Sequence, residues 1–108
     1  MMKSNRLCKA VVPNNNKESN FSEFVLSTLR EYNDYSGGTY IDEIKNATDF
    51  LEDHENAVDQ PFYRVYGLYK DSLNKSNKLK HLSDFFDLDD AINFMLYLTG
   101  TVPSITYY

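Results

Sequence analysis

The chain has 108 residues, of which 42% are hydrophobic and 25% charged, and it carries a net charge of −5. That length fits one domain with one modest core, and that balance of apolar and charged residues argues against a disordered chain. A single cysteine, Cys8, excludes an intrachain disulfide and a thiolate metal cluster. No run approaches the roughly 20 apolar residues of a membrane span, and the N-terminal apolar run is too short for a signal-peptide core, so a cytoplasmic protein is expected.

Along the chain, Leu7 to Val12 reads as a strand ended by Pro13, followed by an Asn-rich loop over residues 14–20. Residues 1–20 also fit a flexible arm or an edge strand. A first helix is expected from Phe21 to Asn33. Asn20 and Glu23 have the spacing of a capping box, and Phe21, Phe24, Val25, Leu29 and Tyr32 recur on one helical face. Ser36-Gly37-Gly38 then stops it. A second capping box, Thr39 with Asp42, opens a second helix with Ile41, Ile44, Ala47 and Leu51 on its apolar stripe. Its outer face carries Glu43, Asp49, Glu52, Asp53 and Glu55, and it fades by residues 54–56.

Pro61 opens an aromatic, β-branched run, Phe62 to Tyr69, that reads as a strand. Tyr63, Val65 and Gly67 point one way, and Phe62, Arg64, Tyr66 and Leu68 the other. Gly67 in mid-strand marks a bulge or the close approach of another element. A polar loop over residues 70–78 leads to a second strand, Leu79 to Phe86, antiparallel to the first. Asp87, with Asp90 three residues on, caps a last helix whose buried stripe is Leu88, Ala91, Ile92, Met95 and either Leu96 or Leu98. Gly100 ends it, and Ile105 to Tyr108 adds a short edge strand. The expected fold is a single α+β domain over residues 1–108. It has two N-terminal helices, a central antiparallel β-hairpin, and a C-terminal helix packed on a small sheet.

Catalytic patterns are absent from the residues. His54 and His81 are the only histidines and lack the spacing of a paired metal-ligand motif. Asp84, Asp87, Asp89 and Asp90 form the densest carboxylate cluster, but Asp87 and Asp90 are explained as a helix cap and a first-turn residue. Cys8 has no neighbouring His to activate it, and Gly37-Gly38 lacks the Lys and the third Gly of a phosphate-binding loop. The expectation is a non-enzyme with no catalytic residue, metal or cofactor.

Charge is laid down in blocks. Residues 1–30 sum to +3, 31–59 to −8, 60–80 to +4 and 81–108 to −4. A fold that joined the two acidic blocks would present a strongly negative face, repelling nucleic acid and speeding encounter with basic partners. The reading is a small acidic binding protein of the toxin-immunity or phage and plasmid anti-defence type, inhibiting a macromolecular target by steric and electrostatic blockade. The expected partner is a protein with a basic surface. Contact residues are assigned as Glu43, Asp49, Glu52, Asp53, Asp84 and Asp87, with Tyr63 and Tyr66 as aromatic hot spots. The alternative is a structural or regulatory interaction module, such as a homodimer pairing through the Tyr-rich strand. One stretch, Glu31-Tyr32-Asn33-Asp34-Tyr35-Ser36-Gly37-Gly38-Thr39-Tyr40-Ile41-Asp42, resembles the Tyr-Asn…Gly…Trp-Ile-Asp stretch near the start of ArdA antirestriction proteins, which mimic DNA. The likeness covers these residues alone, has Tyr40 where that family has Trp, and falls where that family has strand; it is not taken as membership.

Overall fold

The structure, a computed structural model, describes residues 5–51, 55–70 and 79–108. In chain order its elements are β1 (Cys8–Pro13), β2 (Phe21–Asn33), β3 (Thr39–Glu43), α1 (Ala47–Leu51), β4 (Phe62–Tyr69), β5 (Leu79–Phe85), α2 (Leu88–Thr99) and β6 (Thr106–Tyr107). The strands form one sheet in the order β5-β4-β2-β1-β6, with β3 also paired to β2. Every pairing is antiparallel. Among the described residues, no helix is long and apolar enough to cross a membrane.

The two expected N-terminal helices are not formed. Strands β2 and β3 occupy most of that stretch, and among its described residues α1, 5 residues long, is the helix. The physical reason lies in the position of β2. It is the central strand, flanked by β4 on one side and by β1 and then β3 on the other, and Leu26, Ser27, Thr28, Leu29 and Arg30 are all buried. Leu26, Thr28 and Arg30 point to one face and Ser27 and Leu29 to the other, so burial on both faces here removes the apolar–polar alternation of a half-buried strand. Apolar residues on both faces, Phe24 and Leu26 on one and Val25 and Leu29 on the other, then mimic helical spacing. Ser36-Gly37-Gly38 is a hairpin turn instead of a helix stop. Asp34 Oδ1 accepts hydrogen bonds from the Ser36 N–H, the Ser36 hydroxyl and the Gly38 N–H at 2.9, 2.8 and 2.9 Å, and Gly37 takes a φ of 90°. The β2–β3 hairpin spans the stretch that resembles the ArdA proteins, and it is strand there.

Residue Thr28 is where β2 exchanges one neighbour for another. β1 pairs with residues Glu23 to Ser27 and β3 with Leu29 to Asn33. Between them the Thr28 hydroxyl donates to the Cys8 carbonyl (2.9 Å) and accepts from the Cys8 N–H (3.1 Å), standing in for the missing ladder step. The Thr28 carbonyl accepts from the Ile44 N–H (3.0 Å), which starts the β3 side. Buried backbone groups must be paired somewhere. Here one side chain does it.

The core lies on one face of the sheet. Cys8, Ala10, Val12, Phe24, Leu26, Tyr63 and Val65 point into it, and Leu88, Ala91 and Met95 of α2 pack on them. The β4–β5 pair and α2 sit where the sequence patterns put them. Asp87 caps α2 by accepting from the Asp89 N–H (2.9 Å), and Gly100, left-handed at φ 71°, donates back to the Leu96 carbonyl (2.7 Å). Leu96 is exposed, so Leu98 completes the stripe with Ile92. Gly67 is a close-approach glycine: a Cβ there would lie 2.5 Å from Phe21 Cδ1. β1 pairs with β2 on one side and, through Cys8 and Lys9, with β6 on the other. Asn5 also clasps the start of α2, donating to the Phe86 carbonyl and accepting from the Leu88 N–H, both at 2.9 Å.

Candidate functional site

Strand direction sorts the charges of the chain into two ends. β2 runs from the turn at residues 14–20 to the turn at 34–38, β4 runs back, and β5 runs forward again into α2. The far end therefore gathers Asp34 of the hairpin turn, Asp42 and Glu43 of β3, Asp49 of α1, and Asp87, Asp89 and Asp90 at the start of α2. Glu55 and Asp59 join them, because residues 56–58 line the end of β2: Asn33 N–H donates to the Asn56 carbonyl (2.7 Å) and Val58 N–H to the Glu31 carbonyl (2.9 Å). Buried Arg30 ties this end together, its guanidinium donating to the carbonyls of Asp59 (2.9 Å) and Asp49 (3.4 Å). The described near end carries Lys17, Lys70 and Lys80 beside Glu18 and Glu23. Lys70 Nζ donates to the Lys17 carbonyl (2.9 Å), and Lys80 follows on the neighbouring strand.

The acidic end also exposes large apolar side chains, namely Tyr35, Tyr40, Ile41, Leu51, Val58 and Phe86. Tyr35 stands fully in solvent at the tip of a turn that Asp34 fixes with three hydrogen bonds. Exposed aromatic residues are among the side-chain types that anchor interfaces.

The second feature is the sheet face opposite α2. Arg64 at its centre grips Asp84 across β4 and β5, Nε to Oδ1 at 2.8 Å and a terminal nitrogen to Oδ2 at 3.1 Å. His81 Nε2 sits 2.9 Å from the same Oδ1. Burial pushes the Asp84 carboxyl up, but the hydrogen bonds and charge of Arg64, with His81, outweigh it and hold it below the usual carboxylate range. Asp84 raises the Arg64 guanidinium in return through its hydrogen bond. The Arg64 guanidinium also lies 5.5 Å from the Phe62 ring and 6.0 Å from the Tyr66 ring. The cluster has an acid–imidazole contact, with Tyr66 beside Arg64. Cys8 is in the core on the other face, its thiol pushed up by burial against the smaller pull of the Thr28 hydrogen bond.

The residues assigned from sequence therefore separate. Glu43 is exposed on β3 and pairs with Lys9 at 3.9 Å. Asp49 is at the acidic end, where its N–H and carboxylate bond Asn46 (2.8 and 3.0 Å). Asp87 is spent on the α2 cap, and Asp84 belongs to the Arg64 pair on the open face. Tyr66 is half-buried on that same face. Tyr63 is not on any surface. It is fully buried, its hydroxyl donates to the Arg6 carbonyl (2.8 Å), and burial pushes its phenol far above the usual value. Glu52 and Asp53 lie outside the described residues. Sequence reasoning missed Tyr35, Tyr40, Val58 and Phe86; the Asp-x-Ser-Gly-Gly turn chemistry after Asn33 was the available signal for Tyr35.

Among the described residues, no group of three or more His, Cys, Asp or Glu side chains is placed to hold a metal ion. Comparison of the chain with protein-family models, with curated proteins and with solved structures gave no match.

Proposed function

We propose that this chain is a small acidic binding protein that blocks a basic macromolecular target, most simply another protein, by steric and electrostatic means and without a catalytic step of its own. The observation that carries the reading is convergence. The described carboxylates of residues 31–49 and 55–59 and those of 87–90 lie apart in sequence, and the direction of β2 and β5 delivers them to one end of the sheet. That end also exposes Tyr35, Tyr40 and Phe86. Concentrated negative charge raises the rate of encounter with a basic patch, and aromatic anchors lengthen the life of the complex. An immunity or anti-defence role and a cytoplasmic location are the working setting for this reading.

The test is capture from host extract with the wild-type chain as bait, followed by rate measurements on the purified partner. Reversal of charge at Asp42, Glu43 and Asp59 together is expected to slow association at least about tenfold and to flatten its salt dependence. Reversal at Lys17 and Lys70 on the opposite end should leave association unchanged or faster. If the acidic triple variant bound its partner as fast as wild type, electrostatic blockade by this end would be untenable.

A further inference from the structure

We propose that the open face of the sheet is a homodimer interface, covered by the same face of a second copy of this chain. This goes beyond the acidic-end reading and rests on the sheet face, which meets that end at Ile41 and Glu43. An antiparallel sheet with one face on a helix normally turns polar side chains outward on the other. Here the outward positions of the paired strands set Val11, Val25, Ile41, Tyr66, Leu68 and Leu79 among polar ones such as Lys9, Ser27, Arg64 and Asp84. Val11, Ile41 and Leu79 are 48%, 44% and 43% exposed. Both described helices lie on the other side: α2 packs on the core, and Phe50 of α1 is packed against that same core.

Three properties select a second copy as the occupant. The first is area. The strand rows at about 4.8 Å spacing, with about 3.3 Å per residue along them, give the face about 700 Å², close to the about 800 Å² per partner of a standard specific interface. The second is charge. The cations in the middle of the face are matched within the chain, Arg64 by Asp84 and Lys9 by Glu43. A face whose central charges are already paired selects no oppositely charged partner and loses less on dehydration than one with free ions. The third is symmetry. Stacking two sheets about a twofold axis that lies between them and crosses the strands reverses the second sheet end for end. The carboxylates at the β2–β3 end of one copy then lie over Lys17 and Lys70 of the other, and β4 lies over β4. The same twofold leaves Tyr35, on its turn beyond the sheet, free for a different partner.

Sedimentation velocity on the purified full chain tests this without any other component. The weight-average mass is expected to rise from 12.6 kDa towards twice that value as concentration increases from about 1 μM to about 1 mM. Tyr66→Lys and Val11→Lys, made separately, each place a charge in the face and should weaken association at least about tenfold with an unchanged far-ultraviolet circular dichroism spectrum. Tyr97→Lys, on the outside of α2 at 83% exposure, should leave association as in wild type. Two variants are used so that misfolding of one leaves the other to decide. A mass of one chain at every concentration overturns the proposal. So does a dimer that survives both face variants, or one that Tyr97→Lys abolishes. The acidic-end reading is decided by a different readout, the association rate with another partner measured at concentrations where the chain is a monomer.

Discussion

Replacing Thr28 with valine keeps the size and shape of a side chain that is 1% exposed and removes only its hydroxyl. That hydroxyl serves both backbone groups of Cys8, itself 1% exposed, at 2.9 and 3.1 Å. With valine the Cys8 N–H and carbonyl lose this partner where water does not reach. Leaving a buried donor or acceptor unsatisfied costs about 1–3 kcal/mol each, and the added methyl group returns about 0.8 kcal/mol. The net loss is about 3 kcal/mol, a large part of the about 5–15 kcal/mol that holds a domain together. It corresponds to a fall in Tm of about 15 °C for a domain of this size. Thr28→Ser keeps both hydrogen bonds and loses one methyl group, for about 1 kcal/mol. Urea denaturation followed by circular dichroism separates the two. A Thr28→Val protein within about 0.5 kcal/mol of wild type, or one more stable than Thr28→Ser, would refute the claim that this hydroxyl replaces a step of the ladder.

Met95→Ala, at a position with no exposure, should cost about 3 kcal/mol in the same assay; a loss under about 1 kcal/mol would mean that α2 settles onto the sheet without it. Gly67→Ala should cost about 1–3 kcal/mol through the 2.5 Å clash with Phe21. In a double-mutant cycle with Phe21→Ala the two costs should sum to more than the double variant loses, and strict additivity would remove the clash as the cause. Asp87→Ala should cost about 1 kcal/mol as a lost cap, and Asp87→Ser nearly nothing, read from thermal melts. The Asp84 carboxyl is held below its ordinary value of 3.8 in the folded chain, so its pairing stabilises the fold above that value and is lost as pH falls through the lowered one. Asp84→Asn should therefore flatten the acid side of the stability–pH curve, and an unchanged acid limb would rule the pair out as its source.

What could be read from sequence was what local chemistry decides. Asp87 and Gly100 bound α2 because a cap and a left-handed stop each involve a few neighbouring residues. β4 alternates cleanly because only one of its faces meets the core. β2 was illegible for the opposite reason: residues 26–30 are buried on both of its faces, so its pattern carries no period of two. Thr39 and Asp42 have the spacing of a capping box, yet the Thr39 hydroxyl donates across the hairpin to Glu31 (2.7 Å). Alternation correctly set Tyr63 and Tyr66 on opposite faces. Which face became core was decided by where α2 docks, a fact no window of sequence contains. The acidic blocks were visible as composition. Their meeting depends on the directions of β2 and β5, which are properties of the whole sheet.

The shortest strand has a disproportionate effect on how the sheet ages in solution. β6 contributes only two paired residues, Thr106 and Tyr107, against Cys8 and Lys9, with the Arg6 guanidinium 4.5 Å over the Tyr107 ring and the Tyr108 N–H on the Leu7 carbonyl. Joining segments so distant along the chain carries a large loop-closure entropy for a very small ladder. Opening of this piece is therefore the cheapest way for the sheet to loosen, and its amides should exchange with deuterium well before those of β2 and β4. Each opening bares the Cys8–Lys9 part of the β1 edge, the part that β6 pairs, to any other extended chain. Aggregation on storage is expected to follow the rate at which these two residues let go.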